Sequence, residues 1–135
     1  MKYFLDSNIY IYLNKKQFEN IAAHLAFVEM DKIKIPSMVA AELFHGAYKS
    51  EYTEYNLARL NQFLSRYETV PFGEKAADCY GRIRADLERE GCIIGYNDMV
   101  IAATVLANEG VLVTRNVREF SRIKGLNIED WSETN

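Results

Sequence analysis

Short apolar runs alternate along this chain with longer stretches of helical period, and that alternation leaves few folds open. Lys2 to Leu5, Lys32 to Pro36, Val111 to Thr114 and Leu126 to Trp131 read as strands, and Glu68 to Phe72 as a strand or extended connection. Between them the period is helical. Helices are expected over Ile9 to Leu13, Phe18 to Met30, Met38 to Tyr48, Tyr52 to Tyr67, Glu74 to Glu90 and Asp98 to Asn108, with a short turn over Val117 to Ile123. Ser37 and Asn97 read as N-caps, and Gly91 and Gly110 as helix stops. Parallel strands need a crossover, usually a helix, between them. The pattern therefore predicts an α/β fold with a mainly parallel central sheet flanked by helices. The 135 residues suit one domain spanning 1–135. A hydrophobic share of 49%, with two prolines and seven glycines, is a folding composition with little room for linkers.

In sheets of this kind ligands bind beyond the carboxyl ends of the strands. Asp6 stands there, directly after the first strand, and reads either as a helix cap or as a ligand. Glu42 lies among Met38, Val39, Ala40, Ala41, Leu43 and Phe44. A Glu is costly to bury there unless paired or metal-bound, and the other reading is a narrow solvent stripe. Asp98 precedes the apolar run Met99 to Ala103, in a first helical turn where an acid also suits the helix dipole. Asn116 follows the strand ending at Thr114 and reads as a turn residue, a cap or a fourth site position.

Each acid alone says little, but jointly they predict one negative pocket, which is unfavourable unless a cation fills it. Oxygen-only ligands select hard cations, so Mg²⁺ is expected, with Mn²⁺ able to substitute. His24 and His45 join no zinc-type cluster, and Cys79 and Cys92 form no metal pair. Free thiols fit a reduced, cytoplasmic setting. No apolar run is long enough to cross a membrane, and the first residues do not read as a secretory leader.

The formal net charge of −3 argues against a protein that binds nucleic acid by electrostatics alone. Lys15, Lys16, Arg115, Arg118 and Arg122 read as solvated charges or as local guides for a backbone. Phe44, Tyr48, Tyr52 and Tyr55 recur at spacings of three or four, as a docking stripe or an internal one.

The ordered set Phe4-Leu5-Asp6-Ser7-Asn8, Ala41-Glu42-Leu43-Phe44-His45-Gly46, Asn97-Asp98-Met99-Val100-Ile101-Ala102-Ala103 and Thr114-Arg115-Asn116-Val117-Arg118-Glu119-Phe120 resembles PIN-domain ribonucleases, of the VapC toxin group. The resemblance implies a metal-dependent endoribonuclease with Asp6, Glu42 and Asp98 as metal ligands. It also implies structured RNA such as tRNA as substrate, a cognate VapB-like antitoxin, a homodimer, and DNA contact only through the antitoxin complex. Many members carry a fourth acid near Asn116, where this chain has an amide. Two other readings stay open. An aspartyl-nucleophile phosphatase also puts an Asp after its first strand but wants a second Asp where Asn8 stands. A non-catalytic partner-binding module would keep the acidic pocket as a relic.

Overall fold

The computed structural model describes residues 1–133, so the last two positions of the expected 1–135 unit lie outside the described residues. Five strands form one sheet: β1 (Tyr3–Leu5), β2 (Ile33–Pro36), β3 (Glu68–Val70), β4 (Val111–Val113) and β5 (Asn127–Glu129). Their order is β3-β2-β1-β4-β5, and all four pairings are parallel. The burial of the strands agrees with their places in the sheet. Phe4 and Leu5 of β1 and all three residues of β4 are buried, as suits strands covered on both faces. Edge strand β3 exposes Glu68 and Thr69, and Glu68 pairs with Lys34 of β2 at 2.8 Å.

The crossovers are helical: α1 (Ser7–Asn14), α2 (Glu19–Phe27), α3 (Ser37–Tyr48), α4 (Thr53–Leu64), α5 (Glu74–Glu90), α6 (Tyr96–Ala107) and α7 (Val117–Phe120). In α5, Ala76, Cys79, Ile83 and Leu87 make one buried stripe, and Gly91 ends the helix at φ 70°, a left-handed conformation that glycine adopts without strain. That stripe packs on α6, whose Met99, Ile101, Ala102, Ala103, Thr104 and Val105 are all buried. Gly110 allows β1 and β4 to close on each other. A Cβ there would stand 2.6 Å from Phe4 Cδ2 and 3.1 Å from the Lys2 carbonyl oxygen.

Several local expectations need correction. Ser37 and Asn97 do not cap: Pro36 and Gly95 hold the cap positions of α3 and α6, and both polar residues lie within the first turn. Their side chains are used across the fold instead. Ser37 Oγ accepts from the Phe72 N–H at 3.2 Å, tying the end of β3 to the start of α3. The helix expected over Phe18 to Met30 stops at Phe27 and is followed by a 3₁₀ turn at Met30–Lys32. Tyr48, Tyr52 and Tyr55 are exposed while Phe44 packs against the core, so the aromatic stripe is not internal.

Candidate active site

The carboxyl ends of β1 and β4 lie side by side, and two polar side chains meet there. Asp6 follows β1 and its own N–H donates to the Val113 carbonyl at 3.0 Å. Its side chain is 5% exposed and both oxygens are engaged. Oδ1 accepts from the Ser7 N–H at 2.8 Å, the capping role, and Oδ2 accepts from the Thr114 hydroxyl at 2.7 Å. Burial pushes the Asp6 carboxyl above its ordinary value, against the pull of the Thr114 and Ser7 hydrogen bonds. Asp6 is thus a cap and a buried acid at once; the two readings do not compete.

Glu42 comes from the middle of α3. Asn97 Nδ2 donates to its Oε2 at 3.4 Å. Its Oε1 is buried and, among the described residues, has no hydrogen-bond partner. A buried carboxylate oxygen with nothing to accept from is costly, since desolvation is not repaid.

Asp98 is the third residue of α6 and is half-buried. Its carboxyl is pushed up to about 6, first by burial and then by the charges of Asp6, Glu42 and Glu119. Four acids, Asp6 at the junction of β1 and α1 and the others on three helices, therefore share one electric field. They do not close on a point, however. Among the described residues no three His, Cys, Asp or Glu side chains stand together as a ready metal-holding group. Like charges without a counter-charge repel.

Asn116 holds the cap position of α7 but makes no side-chain cap bond. Its backbone N–H donates to Thr114 Oγ1 at 2.9 Å, so it connects to Asp6 through Thr114. Glu119 was not singled out in the sequence. It stands one helical turn beyond Asn116, a spacing that puts both on one helix face. Arg115 Cζ lies 4.0 Å from the Phe18 ring centroid and 5.5 Å from that of Tyr12, while its Nε donates to Ser132 Oγ at 3.1 Å. Lys15, Lys16 and Arg118 are exposed, and Arg122 is half-buried. His24 stacks on Trp131 at 4.5 Å, His45 is exposed, and both cysteines are free thiols, so none of these joins the acids.

Against known proteins, the PIN domain family model matches residues 3–126. The chain is 40% identical to "Ribonuclease VapC2" of Rickettsia felis, over 98% of this chain and all of that one. It is 37% identical to the "tRNA(fMet)-specific endonuclease VapC" of Shigella flexneri, over 98% of this chain and 99% of that one. Among solved structures it is similar to VapBC2 from Rickettsia felis bound to a promoter DNA fragment, at TM-score 0.89 and 40% identity, covering 96% of this chain and 98% of that one. DNA-bound VapBC from Salmonella typhimurium superposes at TM-score 0.90 and 38% identity, covering 97% and 98%.

Proposed function

The chain belongs to the PIN-domain family, and on that premise we propose a divalent-metal-dependent endoribonuclease of the VapC kind, the toxin of a toxin–antitoxin pair. It hydrolyses phosphodiester bonds in structured RNA such as tRNA, the substrate class named for the Shigella relative. Residues 1–135 act as one ribonuclease unit in the cytoplasm.

The observation that carries the site assignment is the buried, unpartnered Oε1 of Glu42 beside an Asp98 whose charge its surroundings disfavour. An oxygen-only donor set that lacks a counter-charge fits a hard divalent cation. Asp6, Glu42 and Asp98, which do not stand together as a ready group without an ion, would draw in to hold it, as Mg²⁺ with Mn²⁺ as substitute, and Glu119 adds charge nearby. When bound, such an ion polarises a phosphate oxygen and lowers the pKa of water. The chain's own contribution is positional. Thr114 fixes the Asp6 rotamer, and Asn97 holds Glu42 by one oxygen, leaving the other for the ligand. Asn116 bears on Asp6 through Thr114 and brings no charge of its own.

The protein partner is a VapB-like antitoxin, since relatives crystallise as VapBC complexes. DNA is reached only through that complex, and the toxin is a homodimer. Among the described residues no helix is long and apolar enough to cross a membrane.

Incubation of bulk tRNA with the purified protein, in Mg²⁺ or Mn²⁺ and in EDTA, tests the reading. Cleavage is expected only with the metal, and folded Asp98→Asn should give none. Equal cleavage in EDTA, or by Asp98→Asn, would reject the assigned site; no cleavage under any condition would favour a relic pocket.

A further inference from the structure

We propose that Tyr96, backed by the Arg84 guanidinium, is a platform on which an unpaired base of the RNA substrate stacks beside the acid cluster. The inference rests on the ribonuclease reading and adds to it a residue that positions the substrate.

The problem it answers is attachment. The chain carries a net charge of −3, and its acids would repel a phosphate backbone. Several cations are already engaged: Lys34 by Glu68, Arg82 by Asp78, Arg89 by Asp86, and Arg115 by two aromatic faces. Stacking on an aromatic ring holds nucleic acid without a net charge, because every base has a π-face.

Tyr96 is placed for this. It opens α6, immediately before Asn97, which donates to Glu42, and two residues before Asp98. Two residues, about 3 Å of helical rise, separate it from Asp98 along α6. The ring is 59% exposed and is not among the hydrophobics packed against the core. Arg84 Cζ lies 4.9 Å from its ring centroid, over one face. Arg84 is itself held, with Nη1 donating to the Tyr80 hydroxyl at 3.3 Å and Nε to Glu88 Oε2 at 3.4 Å. Tyr80 meets Phe72 edge to face at 6.2 Å, and the Phe72 N–H is tied to Ser37 at the start of the helix that carries Glu42.

Phe72, Tyr80, Arg84 and Tyr96 therefore form a row tied to α3 through Ser37 and to α6 at Tyr96, the helices that carry Glu42 and Asp98. A ring held by a guanidinium loses less freedom when a base lands on it. Structured RNA presents such bases in its loops, where they are unpaired and can splay out.

The test pairs Tyr96→Ala with Tyr96→Phe, both checked for fold by thermal melting. Two readouts are taken: steady-state cleavage of a tRNA transcript in Mg²⁺, and quenching of a hexaribonucleotide carrying 2-aminopurine, with Ca²⁺ replacing Mg²⁺. Tyr96→Ala should raise KM about tenfold with kcat within about twofold, and should lose the quench. Tyr96→Phe should keep both, because the ring and not the hydroxyl does the stacking. An unchanged KM and an unchanged quench in Tyr96→Ala overturn the proposal. So does a Tyr96→Ala that handles RNA like the parent but no longer binds the antitoxin or its own second copy, since the platform then serves a protein. If the parent itself fails to cleave, the ribonuclease reading falls, while a quench that depends on Tyr96 would still uphold the platform.

Discussion

Replacing Asp98 with Asn should stabilise the metal-free protein, and only above a defined pH. The Asp98 carboxyl stands at about 6 against an ordinary 3.8, chiefly through burial and then through Asp6, Glu42 and Glu119. The rise of about two units corresponds to ~3 kcal/mol at about 1.36 kcal/mol per unit. Asp98 is only half-buried, so solvent screening reduces the usable part to about 1.5 kcal/mol. Losing the attraction of the α6 dipole works the other way by about 0.5 kcal/mol. The net gain is about 1 kcal/mol, roughly 3–5 °C for a chain of this size. Because the folded value is raised, the folded state keeps its proton where the unfolded chain has lost it. Below about pH 4 both states are protonated and the penalty vanishes. Between about pH 4 and 6 parent stability falls as pH rises, and above that the full penalty is present. Thermal melts of parent and Asp98→Asn in EDTA should therefore diverge from pH 4 to pH 8, with the variant higher. Mg²⁺ should reverse the order by mass action, by up to about 2.7 kcal/mol at a hundredfold excess over Kd, since it stabilises the folded parent. A gap that does not change with pH, or a variant that melts below the parent at pH 8 in EDTA, would refute the shared-field argument.

Thr114→Val removes a buried hydroxyl that serves both Asp6 and the Asn116 N–H. It should cost about 1–3 kcal/mol in urea unfolding at pH 8. The loss should shrink toward pH 5, because Asp6 without that bond moves further above its ordinary value; a pH-independent loss would deny the link. Gly110→Ala pushes a methyl into Phe4 and the Lys2 carbonyl and should cost about 1–3 kcal/mol by the same urea measurement. An unchanged midpoint would mean that this contact yields freely.

The alternation of apolar runs and helical stretches was enough to foresee the parallel α/β layout, but strand order was not legible. That order depends on which strands are covered on both faces, a property of the assembled sheet. Asp6, Glu42 and Asp98 could be picked out because each acid sits in apolar sequence where burial is expensive. Glu119 could not, because Val117-Arg118-Glu119-Phe120 looks like any short exposed turn. Ser37 and Asn97 look like caps because local chemistry favours that role, but both lie inside their helices. Their actual partners, Phe72 and Glu42, are 35 and 55 residues away. The exposure of Tyr48, Tyr52 and Tyr55 was equally invisible, since spacing defines a stripe and not the side it faces.

The bond from Thr114 to Asp6 spans 108 residues. β1 is the first strand made and lies between β2 and β4, so it stays unfinished until residue 113 is available to pair with Leu5. A polypeptide growing from the ribosome at about 5–20 residues per second carries Asp6 and Glu42 for several seconds before β4 exists to lock them. Truncated chains ending before β4 would hold three of the acids without that lock. The acidic site is in this way closed only after β4 has been made.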